Sequence, residues 1–98
     1  MTFYLKILPT AKATLKELKD KPDLEKRYKA VTKTLSYLAE NPKHPGLKTH
    51  SFTAFRGPKN EKVFEAYAEN DTPGAYRIFF CYGSQRGEIV ILAITPHP

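Results

Sequence analysis

The sequence predicts an α+β domain: a short strand and a two-helix hairpin, then a four-strand antiparallel meander with the helices on one face of the sheet. Two changes along the chain carry this reading. Up to Leu38 the apolar residues recur at helical spacing; beyond Gly46 the segments turn rich in β-branched and aromatic residues, with turn-forming clusters between them. The connections between those later segments are short, which favours antiparallel neighbours, and helices followed by strands segregate into two layers. A chain of 98 residues supports one hydrophobic core, so residues 1–98 form a single domain.

Taken in order, residues 2–8 (TFYLKIL) form the first strand, closed by Pro9. Leu8, Ala11, Leu15 and Leu18 then recur with the period of a helix that runs to about Lys19. Pro22 and Asp23 suit the first turn of a second helix, whose apolar stripe is Leu24, Tyr28, Val31, Leu35 and Leu38. Asn41-Pro42 stops it, because proline disfavours helical backbone in the residue before it. Strands are expected at 47–55, 62–69, 75–82 and 88–95, with turns at 57–60, 70–74 and 83–87.

Side-chain alternation then assigns faces. In 62–69, Phe64, Ala66 and Ala68 form the apolar set and leave Glu65, Tyr67 and Glu69 opposite. In 75–82, Tyr76, Ile78 and Phe80 suit the helix-covered core, which puts Arg77 on the open face with Phe79 and Cys81. The last strand is apolar on both faces, as expected of a central position. Arg77 is the anomaly: an arginine within an aromatic strand is costly to bury unless it is partnered or faces an anion. One account is an ion pair across the strands with Glu65 or Glu69, worth about 0.2–1 kcal/mol. The other is an anionic ligand.

Composition narrows the function classes. No apolar run approaches the ~20 residues needed to cross a bilayer, and Lys6 and Pro9 interrupt the only N-terminal apolar stretch, so neither a membrane span nor a secretory signal is expected. The single cysteine, Cys81, allows no internal disulfide and fits a buried thiol in a reducing cytoplasm. Three histidines and one cysteine show no metal-ligand spacing, so no metal is expected. The net charge is +6 and unevenly placed: residues 1–50 carry 11 Lys+Arg against 5 Asp+Glu, residues 51–98 five of each. That asymmetry fits an anionic partner, nucleic acid or acidic protein, and equally a solvated lysine-rich surface.

The order strand, helix, helix, meander, with the segments NPKHPGLKTH, KVFEAYAE, AYRIFFCY and ILAITPHP, resembles the RelE/ParE superfamily of toxins from type II toxin-antitoxin pairs over nearly the whole chain. The most specific part is Tyr76-Arg77-Ile78 in an aromatic strand, followed by a hairpin and an aliphatic last strand that ends at a histidine. Pro45-Gly46-Leu47-Lys48 after the second helix is also usual there. The resemblance implies a cytoplasmic protein toxic to its host and neutralised by a cognate antitoxin protein. Many members cut messenger RNA on the ribosome without metal or cofactor, and another branch inhibits DNA gyrase. It places Arg77 in a nuclease site, His97 where several members have a general acid, and His50 where some have a strand histidine.

Such chemistry needs a base for the ribose 2′-hydroxyl, an acid for the departing 5′-oxygen and a cation facing the phosphate. Histidine suits either proton role, and a guanidinium grips phosphate oxygens in pairs. The expected catalytic set is therefore Arg77 on the phosphate, His97 as acid, and His50 with Lys48 as base, the last two sharing a strand face. Tyr67 and Phe79 are expected to stack on bases. Lys12, Lys16 and Lys19 on one helix, and Lys26, Lys29 and Lys33 on the other, are expected to contact RNA-rich surfaces such as the ribosome.

Two departures favour an alternative. Glu65, Tyr67 and Glu69 stand on the strand where active nucleases often carry a basic residue, and Pro98 follows His97 where many have an aromatic. The alternative is a toxin-fold protein that acts by binding, either as a gyrase inhibitor or as an antitoxin- or protein-binding module. A plain scaffold with basic helices is a third reading. On those readings His97 is a frayed terminal residue and His50 a surface residue of a strand.

Overall fold

The computed structural model describes residues 2–69 and 74–97. Strand β1 (Tyr4–Ile7) leads into helices α1 (Pro9–Asp20) and α2 (Glu25–Glu40), followed by strands β2 (His50–Phe52), β3 (Val63–Tyr67), β4 (Tyr76–Tyr82) and β5 (Glu88–Pro96). Proline sets both helix starts. Pro9 is the first residue of α1, and Pro22 opens a 3₁₀ turn, Pro22–Leu24, that runs directly into α2.

The sheet order is β1-β5-β4-β3-β2. The last four strands form the expected antiparallel meander, and β1 adds to β5 in parallel, so the sheet is mixed. Both helices pack on one face. Ala11, Leu18, Val31, Leu35 and Leu38 meet Ile78, Phe80, Ile89, Ile91 and Ile94 in the main core. Burying each large aliphatic or aromatic side chain there contributes about 1.5–3 kcal/mol. At one end Arg27 of α2 pairs with Glu69 at 2.8 Å, and Glu69 also accepts from the Tyr76 amide at 3.0 Å, fastening the helix to β3 and β4.

The strand expected at 47–55 is shorter than its composition implies. Pro45–Leu47 forms a 3₁₀ turn, and Lys48 takes a left-handed conformation (φ 50°, ψ 40°), so pairing starts only at His50. Of the turn expected at 70–74, residues 70–73 lie outside the described residues; Gly74 has φ 83°, where glycine is favoured.

One irregularity matters more than its size. Phe80 faces Ile91 across the β4–β5 ladder but Phe79 faces Ala93, so Leu92 is an extra residue. Such a bulge reverses the phase of alternation. Before it, Ile89 and Ile91 point to the core; after it, Ile94 does, and Ala93 and Thr95 share the opposite face with Phe79 and Arg77.

Candidate functional site

The register arranges the helix-free face in rows across the strands. His50, Glu65, Phe79 and Ala93 make one row; Tyr67, Arg77 and Thr95 make the next. His97 continues the ladder just past β5, its amide donating to the Ala75 carbonyl at 2.7 Å and its own carbonyl accepting from Gly74 at 2.9 Å. It is therefore held rather than frayed. Two residues beyond Thr95, it falls on the face of Arg77, and without the extra Leu92 it would fall on the helix side.

Glu65 is the hub of the polar part. Its Oε2 accepts from Arg77 Nη1 at 2.8 Å, and its Oε1 lies 2.7 Å from His50 Nε2. The carboxylate side chain is only 3% exposed, Arg77 is 19% exposed and His50 47%, so the histidine is the member that solvent or a ligand meets. The Arg77 guanidinium also lies over the Phe79 ring at 4.9 Å, a stacking arrangement open to arginine. Its Nε is buried without a hydrogen-bond partner, a donor still lacking an acceptor. The other His50 nitrogen, Nδ1, is 3.3 Å from the Lys48 carbonyl, a long contact that is a hydrogen bond only in the tautomer carrying its proton on Nδ1. The Tyr67 ring stands beside His50, centroids 5.6 Å apart.

The sequence placed Glu65 on this face, on the strand where active nucleases of the resembled family often carry a basic residue. In the structure the carboxylate is buried beneath Arg77 and His50, and each of them places a nitrogen within hydrogen-bond distance of it. The cross-strand pair considered for Arg77 is present with Glu65, while Glu69 is taken by Arg27.

The rest of the face is not open. Residues 53–62 fold over it: the Phe79 ring packs on Phe52 at 4.7 Å and Phe55 at 5.5 Å, and a side chain at Gly57 would meet Cys81 Sγ at 3.2 Å. Phe79 is 4% exposed and cannot present its ring to a base; exposed Phe55 is the aromatic at that rim. Cys81 is fully buried, and burial, with Glu61 and Glu88 adding to it, pushes its thiol up to about 11. Phe55 and the covering role of 53–62 were missed from the sequence. The sequence reading had put Phe55 at the end of the strand expected at 47–55.

Lys48 is off the strand and does not share the strand-face alternation of His50. Instead it borders, with Lys43, His44 and His50, a cavity of about 540 Å³ beside β2. Lys12, Lys16, Lys19, Lys26, Lys29 and Lys33 are all exposed on the helices, across the sheet from Arg77. Two of them carry intrahelical partners, Lys16 with Asp20 and Lys29 with Glu25, and Lys33 lies over the Tyr37 ring. They are not part of the Glu65 cluster. Among the described residues no group of three His, Cys, Asp or Glu side chains is placed to hold a metal, and no helix is long and apolar enough to cross a membrane.

No family model matches the chain, and no curated protein matches it in sequence. Solved structures do. A chain of the archaeal RelE-RelB complex from Pyrococcus horikoshii OT3 superposes with a TM-score of 0.65 at 18% identity, covering 98% of this chain and 96% of that one. The YoeB dimer from Staphylococcus aureus gives a TM-score of 0.66 at 13% identity over 100% of both chains. The chain shares its fold with those RelE and YoeB structures.

Proposed function

We propose that this protein is the toxin of a type II toxin-antitoxin pair and that its helix-free face cuts RNA without a metal ion. One observation carries the reading: Arg77 and His50 converge on a buried carboxylate, on the face to which a bulge also brings His97. A fold shared with RelE and YoeB is consistent with it.

Arg77 is the phosphate ligand, the accessible part of its guanidinium supplying donors not engaged by Glu65 for an oxygen that gathers charge in the transition state. His50 takes the 2′-hydroxyl proton on Nδ1, the nitrogen not held by the carboxylate. Glu65 fixes the ring through Nε2–H and stabilises the imidazolium that forms, as a carboxylate behind a catalytic histidine does. His97 gives a proton to the departing 5′-oxygen. The attacking hydroxyl becomes part of a 2′,3′-cyclic phosphate, and the other fragment leaves with a 5′-hydroxyl. The helix lysines add sequence-independent attraction to RNA-rich surfaces, the ribosome among them. A protein partner has a precedent in the archaeal complex, where RelE is bound to RelB; here it would be a cognate antitoxin in the cytoplasm.

A second reading has its own observation. Arg77 Nη1 is already committed to Glu65, as it would be in a purely structural ion pair, and a toxin acting by binding needs nothing more. End-group analysis decides between them. Purified protein is incubated with free RNA in EDTA and, separately, with mRNA on translating ribosomes. Fragments ending in 2′,3′-cyclic phosphate and 5′-hydroxyl are expected. Growth arrest on expression with no RNA cleaved in either setting would favour the binding reading.

A further inference from the structure

The cavity beside β2 lies outside the Glu65 cluster and has a distinct chemistry. It is open to solvent on one side and lined by residues 42–45 and 48–51 together with the aromatic Phe64 and Tyr82. These two rings meet edge to face at 5.7 Å, and Tyr82 is exposed. Lys43, Lys48 and His44 stand on its wall, and no carboxylate does among the described residues. Its volume, about 540 Å³, falls in the range of small-molecule sites, ~300–1,000 Å³.

His44 is unusually well fixed for a loop residue. Its ring stacks on Tyr37 at 4.9 Å with the planes 3° apart, and its Nδ1 accepts from the Gly46 amide at 2.9 Å, which leaves Nε2 as the donor. Thr49 Oγ1, on the same wall, is buried without a hydrogen-bond partner. Aromatic floor, cationic wall and spare polar atoms together describe a site for a flat ring attached to a phosphate.

We propose that this cavity holds one nucleotide of single-stranded RNA next to the bond being cut, its base on Tyr82 and Phe64 and its phosphate on Lys43 and Lys48. The proposal rests on the RNA-cleaving reading of the Glu65 face and deepens it. His50 borders both places, so a strand leaving the cavity over the edge strand β2 arrives at the residue assigned to the 2′-hydroxyl. A cavity lined by cations excludes a basic partner, and the aromatic floor distinguishes a nucleotide from a bare anion.

The test uses the intact protein and a fluorescein-labelled hexaribonucleotide carrying 2′-O-methyl groups throughout, which has no nucleophile and is not cut. Anisotropy titration should show binding that weakens about tenfold in Tyr82→Ala, the size of one base stack removed, and is retained in Tyr82→Phe. Lys43→Glu, at an exposed position that the fold does not need, should weaken binding and flatten its salt dependence by ~0.7 in log–log slope for each phosphate no longer neutralised. Equal affinity in wild type, Tyr82→Ala and Lys43→Glu, or no binding by wild type, overturns the proposal. So does a Glu-rich heptapeptide that binds with Tyr82 dependence while the oligonucleotide does not, since the cavity would then serve a protein. Failure of the cleavage reading looks different: unmodified RNA stays uncut while the oligonucleotide still binds through Tyr82.

Discussion

The two halves of the helix-free face are built on the same strands and differ in what covers them. In the capped half, Phe52, Val63, Phe79 and Cys81 lie under residues 53–62, and apolar burial explains every one of them. In the polar half, Glu65 and Arg77 are nearly as deep, yet burial opposes them: each charge loses water and regains only what its partners supply. Replacing such a pair with apolar residues of similar size is often neutral or stabilising. The capped half is what this sheet looks like when stability alone places its residues. The polar half needs another account, for which RNA binding is the one proposed, and His50, Tyr67 and His97 collect there rather than under the loop.

Removing Arg77 separates the two halves most strongly. Arg77→Ala should lower RNA cleavage by ~10²-fold or more, and should cost about 3–5 kcal/mol of stability because Glu65 stays buried with one partner fewer. The paired variant Glu65→Met with Arg77→Met should recover the stability in urea unfolding while cleavage stays low. If cleavage returns with the stability, the two halves are alike and the charges are structural. In the capped half the order is reversed. Val63→Ala, buried and without contact to Arg77, should cost about 1–3 kcal/mol but leave cleavage per folded molecule close to wild type, measured well below its unfolding midpoint.

A smaller effect sharpens the role of the hub. Glu65→Gln keeps the hydrogen-bonding shape and removes the charge, so cleavage should fall ~10-fold or more while Arg77 stays in place; an unchanged rate would mean that His50 acts without support. The smallest effects belong to Cys81. Its thiol in the folded state lies above the ordinary value, so the capped half is fully stable below the unfolded thiol's range, ~8.5, and loses stability as pH rises through it toward about 11. Alkylation by iodoacetamide at pH 8 should be slow until the protein unfolds. Rapid labelling of the native protein would show that residues 53–62 do not seal that half.

The helical hairpin and the meander were legible in the sequence because period, proline position and turn chemistry are local. The parallel pairing of β1 with β5 was not, since nothing in residues 2–8 names a neighbour. Nor was the shortened β2: the β-forming composition of 47–55 says nothing of the left-handed turn at Lys48 that delays pairing. The bulge was hidden for a sharper reason. Ile89 to Leu92 are apolar without a break, so alternation has no contrast there, yet the face on which His97 falls depends on that one residue. Arg77 stood out as an anomaly from the start. The pairing of Glu65 with Arg77 was one of the accounts the sequence offered, but its contact with His50 was not, because only the cross-strand register puts the three together. Phe79 was assigned to the right face and the wrong environment, since a covering loop leaves no periodic trace.

The most direct test is a single-turnover cleavage comparison of wild type, His97→Ala and Val63→Ala on one RNA, each shown to be folded at the assay temperature. If chemistry resides in the polar half, His97→Ala should be slower by ~10²–10⁴-fold, as for a lost general acid, while Val63→Ala cleaves at nearly the wild-type rate and unfolds early. Equal rates for wild type and His97→Ala, or a loss confined to Val63→Ala, would refute the assignment of chemistry to the polar half.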